Sequence, residues 1–84
     1  MYTLIYSSDA LKQLKKLPKE IQARIIACIE RCRIRPQANV KKLVGVPEYS
    51  LRVGDYRVIM DIVDDKLIIL VIKIGHRKNI YERL

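Results

Sequence analysis

The chain predicts an α+β fold of two layers, β-α-α-β-β-β, with a helix hairpin packed on a small, mostly antiparallel sheet. Three features carry that expectation. Two amphipathic helical stretches follow one another with a proline at their junction. Three apolar, β-branched stretches then fill most of residues 49–74. Between the first two stands Gly54-Asp55, a two-residue hairpin signal.

Residues 2–6 are rich in aromatic and β-branched side chains, which suit a short strand. Ser7, Ser8 and Asp9 offer N-cap oxygens ahead of Ala10, Leu11, Leu14 and Leu17, while Lys12, Lys15, Lys16 and Lys19 cover the other side. Pro18 ends this helix or opens the next at its first turn. In the second helix Ile21, Ile25, Cys28, Ile29 and Cys32 have the i, i+4, i+7, i+8, i+11 spacing of one stripe, and Pro36 stops it. The short connection implies an antiparallel helix pair with both stripes turned to a sheet. Residues 35–39 read as a loop, and Gly45 and Pro47 mark another irregular stretch. Strands follow at 49–53, 56–63 and 67–74, separated by Gly54-Asp55 and Asp64-Asp65. The last is apolar on both faces, which predicts the most buried strand. The sheet face without helices is expected to be partly open.

Eighty-four residues, half of them apolar, suffice for one small core, and residues 1–84 read as a single domain. Seventeen Lys and Arg against nine Asp and Glu give a formal charge of +8. That excess points to a polyanionic partner, nucleic acid ahead of an acidic protein or a membrane surface. No stretch approaches the ~18 apolar residues of a membrane helix. The first residues lack the basic lead and apolar core of a signal peptide, so a cytoplasmic protein is expected. Cys28 and Cys32 share a helical face, but with one distant histidine they fall short of a zinc site. They read as buried thiols in a reducing compartment. Asp64-Asp65 is a turn signal, no carboxylate cluster suits magnesium, and neither a metal nor another cofactor is expected.

With Gly54 and Asp55 as the loop, Val53 faces Tyr56 and Arg52 faces Arg57, with Cβ atoms roughly 5 Å apart. Like charges so placed weaken a sheet, which points to an anion held between them. Guanidinium groups dock on phosphate oxygens in a bidentate manner. The competing reading is a basic stripe whose stems cover apolar surface. Histidine suits proton transfer near neutrality, and His76 is the only one. On spacing alone it is a solvated residue following a strand.

The runs Leu43-Val44-Gly45-Val46-Pro47, Leu51-Arg52-Val53-Gly54-Asp55-Tyr56-Arg57-Val58 and Val71-Ile72-Lys73-Ile74-Gly75-His76-Arg77-Lys78-Asn79-Ile80-Tyr81 make the chain resemble the RelE/ParE toxin superfamily, its RelE branch most. The resemblance covers nearly the whole chain. It implies the RelE-like fold and a ribosome-dependent messenger RNA endonuclease of a type II toxin–antitoxin system. Such toxins cut in the decoding site without a metal, by attack of the RNA 2′-hydroxyl, and so inhibit translation. Two partners are implied: a cognate RelB-like antitoxin that wraps the toxin, and the ribosome with its message. Carried over by residue, Arg57 matches the family's central phosphate-binding arginine, Arg77 the basic residue after the last strand, and Tyr81 the tyrosine near the C-terminus. Arg52 falls where the family often has a lysine serving as base or phosphate ligand, and Ser50 where some members have a second lysine. That departure leaves the general base open. Some relatives use a histidine near the end of the last strand, which makes His76 the natural substitute.

Catalysis is thus expected from Arg52, Arg57, His76, Arg77 and Tyr81, the last stacking on a base or orienting the phosphate, or else anchoring the tail. Lys12, Lys15, Lys16, Lys19, Lys42, Lys73 and Lys78 are candidate contacts to RNA backbone. For the four helical lysines a solvated face is an equal reading. Two other functions stay open. A ParE-like toxin shares the fold but poisons DNA gyrase and needs no phosphate clamp. A basic RNA-binding module without catalysis would keep the arginines and be indifferent to His76 and Tyr81.

Overall fold

The computed structural model describes residues 1–78. Among them, strands β1 (Thr3–Tyr6), β2 (Lys41–Lys42), β3 (Tyr49–Val53), β4 (Tyr56–Val63) and β5 (Ile68–His76) form one sheet in the order β1-β5-β4-β3-β2. β1 runs parallel to β5, and the other pairs are antiparallel. Helices α1 (Ser8–Lys15) and α2 (Lys19–Arg31) bury Ala10, Leu14, Ile25 and Ile29 against Leu51, Val53, Val58, Met60, Ile69, Val71 and Ile74. This is the expected α+β sandwich of helices on one sheet face.

Ser7 joins the two layers. Its Oγ accepts from the Ala10 N–H at 3.0 Å, capping α1, and donates to the Ile72 carbonyl at 2.8 Å. β1 pairs only with the first half of β5, so the β5 edge beyond Val71 has no neighbouring strand. α1 fills that place: the Ser7 N–H donates to the Val71 carbonyl, and the Gln13 side chain accepts from the Ile74 N–H at 2.8 Å. Backbone groups that a strand would have satisfied are met by the cap and a side chain of one helix.

Several local expectations change. α2 ends at Arg31, well ahead of Pro36, which instead opens a short helix, α3 (Pro36–Asn39), where a loop was expected. Proline at a first helical turn loses no hydrogen bond, which suits it to that position. Lys41–Lys42 adds an unforeseen edge strand paired to β3. Leu11 is 40 % exposed, because the buried stripe of α1 runs through Ala10 and Leu14 instead. Leu67 takes a left-handed conformation, φ 53°, closing a 3-10 turn over Asp64–Lys66, so β5 begins one residue later. The most buried strand is β4 rather than β5. β4 buries Val58, Ile59, Met60 and Ile62, whereas Ile68, Leu70 and Ile72 of β5 are half-buried.

Asp64 ties three distant pieces of chain together. Its carboxylate accepts from the Tyr2 hydroxyl at 2.6 Å and from the Gln37 side-chain amide at 2.8 and 3.1 Å. These bonds, the tyrosine's first, hold the Asp64 carboxyl below its usual 3.8. A depressed folded value means the stabilisation is present above pH 3.8 and is lost as pH falls through the lowered value. The melting-temperature advantage of the parent over Asp64→Asn should therefore shrink as pH falls from about 5 through that lowered value. An advantage constant across that window would remove the charge from the account.

Burial also separates two apolar side chains that look alike in sequence. Ile25→Ala should cost about 2–5 kcal/mol in urea unfolding, the range for truncating a fully buried side chain. Leu11→Ala should stay within about 0.5 kcal/mol. Equal costs would mean the buried stripe of α1 runs through Leu11.

Candidate functional site

The hairpin tip sets the site. Gly54 has φ +59° and Asp55 does not share the positive φ, the pattern of a II′ turn, whose twist matches the flanking strands. With this turn closed, Val53 pairs with Tyr56 and Arg52 with Arg57, the register expected from the sequence. Arg57 is half-buried and Arg52 exposed.

Strand alternation divides the sheet into two faces. Leu51, Val53, Tyr56, Val58 and Met60 belong to the helix-side core. Ser50, Arg52, Arg57 and Ile59 therefore point to the far face. Register then places the far-face residues in rows. One row runs Lys41–Ser50–Ile59–Lys73 across four strands, and the next runs Arg52–Arg57–Gly75. Lys41 and Lys73 end their row about 14 Å apart, three strand spacings. Ser50 and Ile59 between them are buried, so this face is less open than expected. Gly75 itself adds no side chain to the row beside Arg57.

A groove of about 430 Å³ opens here, lined by Lys41, Lys42, Ser50, Arg52 and Arg57 with Leu43 and Val44 at its rim. Among the described residues four cations and no carboxylate line it, a lining that favours an anionic occupant. Its volume lies within the range of small-ligand sites. Among the described residues no three His, Cys, Asp or Glu side chains gather as metal ligands.

Of the other expected site residues, Lys42 lines the groove and Lys73 ends the adjacent far-face row. His76 does not join the arginines, contrary to the grouping expected from sequence. It pairs with Tyr56 and packs against that ring edge-on, centroids 5.6 Å apart, on the helix side of the sheet. Its Nδ1 accepts from the Lys78 N–H at 3.2 Å. The cause is an irregularity between β4 and β5: Ile59 pairs with Lys73 but Met60 with Val71, which leaves Ile72 as an extra residue. That extra residue inverts the alternation for the rest of β5. Arg77 sits at the hairpin tip, its N–H donating to the Asp55 carbonyl at 2.8 Å and its Nε 4.0 Å from the Asp55 carboxylate. Lys12, Lys15, Lys16 and Lys19 are exposed on the helical layer, away from the groove. Tyr81 lies outside the described residues.

Lys41 is the groove residue that sequence reasoning missed, because a two-residue strand gives no periodicity to detect. The Lys41-Lys42 doublet just ahead of an apolar pair was the available signal.

Comparison with known proteins gives a consistent picture. Residues 4–81 match the family model of the ParE toxin of the type II toxin–antitoxin system parDE. The toxin RelE3 of Methanocaldococcus jannaschii is 32 % identical, the match covering 94 % of each chain. The mRNA interferase toxin RelE of Escherichia coli is 28 % identical, over 93 % of this chain and 85 % of that one. A chain in the crystal structure of the toxin–antitoxin complex RelBE2 from Mycobacterium tuberculosis superposes with a TM-score of 0.84 at 26 % identity. That match covers 90 % of this chain and 98 % of the other.

The tip geometry can be tested at Gly54. A Cβ built there would lie 3.6 Å from the Arg24 guanidinium, an ordinary contact, so the penalty for a side chain is conformational. Gly54→Ala should cost about 1–2 kcal/mol by denaturant unfolding, and Gly54→Asn less, since asparagine tolerates positive φ. Equal stability of all three would show that the turn does not impose the register.

Proposed function

The chain belongs to the RelE/ParE superfamily of type II toxin–antitoxin toxins, and from that premise we propose that it is a ribosome-dependent endoribonuclease that cuts messenger RNA and inhibits translation. The observation that carries this is the Arg52–Arg57 pair, held side by side in a groove that Lys41 and Lys42 also line. The mRNA interferase name borne by the E. coli relative supports the same chemistry. A ParE-like action on gyrase has the family description in its favour. It gives no reason to set two guanidinium groups against each other.

In the proposed reaction the 2′-oxygen attacks the adjacent phosphorus as the bond from phosphorus to O5′ breaks. The products are a 2′,3′-cyclic phosphate and a free 5′-hydroxyl. One proton leaves O2′ and one reaches O5′, so none is consumed overall. Negative charge builds on the non-bridging oxygens in between. Two preorganised guanidinium groups stabilise that charge, and do so without a divalent ion. Arg77 at the tip adds a third positive charge, and Tyr81 takes the role the family resemblance implies, orienting the message. Proton transfer is not assigned to His76, which faces the helix side. The proton of O2′ passes instead to a far-face group or to water in the groove.

Outside the groove, the helical lysines and Lys78 contact ribosomal RNA by charge alone. The neutralising partner is a RelB-like antitoxin, an acidic segment that orders as it wraps the basic toxin. Complexes of this kind among structures similar to this chain support that assignment.

Translating ribosomes incubated with the purified protein, followed by primer extension, test the reading. Cuts placed by codon are expected, and inhibition of supercoiling without cuts would replace this reading with the gyrase one. Arg57→Ala should lower the single-turnover rate by about a hundredfold or more, the scale for losing a donor to developing charge. Its melting temperature should hold or rise, since a like-charge contact is relieved. His76→Gln should change the rate by less than about tenfold and leave the shape of the pH–rate profile intact. A titration near neutrality that disappears in His76→Gln would return the histidine to the reaction.

A further inference from the structure

We infer that Lys41 is a phosphate-binding residue that holds the nucleotide adjoining the one gripped by Arg52 and Arg57, so that the groove reads two consecutive phosphates of a single strand. The inference rests on the far-face groove taking RNA. β2 pairs Lys41 directly with Ser50, and on that face Arg52 is the diagonal neighbour of Lys41. Diagonal same-face neighbours stand roughly 7–8 Å apart. A lysine stem spans that offset while its ammonium remains in the groove. Ser50, next to Lys41 in its row, has a short side chain and is buried, as is Ile59 beyond it. The row therefore offers a low floor with a cation at each end, and Lys41 is the end that lines the groove with the arginines.

Residues at an edge strand have a competing use, since lysine there discourages edge-to-edge pairing. The two uses differ in what they predict for an anionic ligand. A guard lysine acts on self-association and is indifferent to RNA. A phosphate ligand releases a counterion on binding, and its loss lowers the salt dependence of affinity.

The test uses a 2′-O-methylated RNA hexanucleotide, which cannot be cut, with affinity measured by fluorescence anisotropy from low to physiological salt. Lys41→Met should reduce the slope of log K against log salt by about 0.7, one phosphate contact on a single strand. Affinity at low salt should fall several-fold, and Lys41→Arg should restore both. Lys66→Met removes the same charge from the exposed turn at the opposite end of β4 and should leave the slope at the parental value. Equal slopes for Lys41→Met and Lys66→Met overturn the inference, as does a parent protein with no salt-dependent binding. A Lys41→Met protein that self-associates with an unchanged slope identifies the guard role instead. Because the probe is uncleavable, its result is separate from nuclease activity. A Lys41-dependent slope in a protein that cuts no message would leave this subsite standing and remove the catalytic reading.

Discussion

Closing the chain on two residues at Gly54-Asp55 leaves the strands no choice of register, and the site depends on that constraint. Once the turn takes its II′ form, Arg52 must face Arg57. The next pairs, Leu51 with Val58 and Tyr49 with Met60, deliver their side chains to the core. A slip of one residue would send the core side chains to the far face and the arginines inward. The hydrophobic core and the cationic groove are therefore enforced by one register. Core packing, which stabilises the fold, holds together two guanidinium groups that repel each other.

The molecule accommodates this concentration of charge by separation. The Glu30–Arg33 ion pair, the Asp64 knot and the Asp55–Arg77 contact all lie at the sheet ends or in the helical layer. Among the described residues no carboxylate lines the groove. These three charge contacts are thus kept apart from the cations suited to an anionic ligand. The cost of that arrangement is borne by a dry core in which Ile25, Ile29, Met60, Ile69, Val71 and Ile74 are essentially inaccessible to water.

The sheet edges are handled differently at each end. β1 stops halfway along β5, and the N-cap serine and Gln13 of α1 satisfy the backbone groups left over. At the other end β2 is only two residues long and wholly lysine. Short, charged edge strands resist pairing with other chains. Here the same shortness leaves the groove accessible beside Ser50 and Arg52.

Local rules were enough for the helices, the hairpin and the identity of the arginine pair. The i, i+4, i+7 stripe of α2, the serine cap of α1 and the Gly-Asp turn each act within a few residues, so their outcome is written in the residues themselves. The bounds of β3 and β4 and the register between them follow from the same short range. The resemblance in the 51–58 and 71–81 runs carried the family. Other features needed the assembled sheet. α3 and β2 are too short to show a period, and Leu11 and Leu14 are alike until a partner face selects one. The face of His76 depended on a single extra residue at Ile72. A strand apolar on both sides has no alternation in sequence that a bulge could visibly break, so residues 68–74 read the same with or without it. Only pairing with β4 reveals that the alternation is inverted, and that inversion moves His76 from the arginines to Tyr56. The sequence by itself determined which residues could bind a phosphate; the tertiary structure decided which of them share a face, because side-chain direction in a sheet is set by counting residues along paired strands.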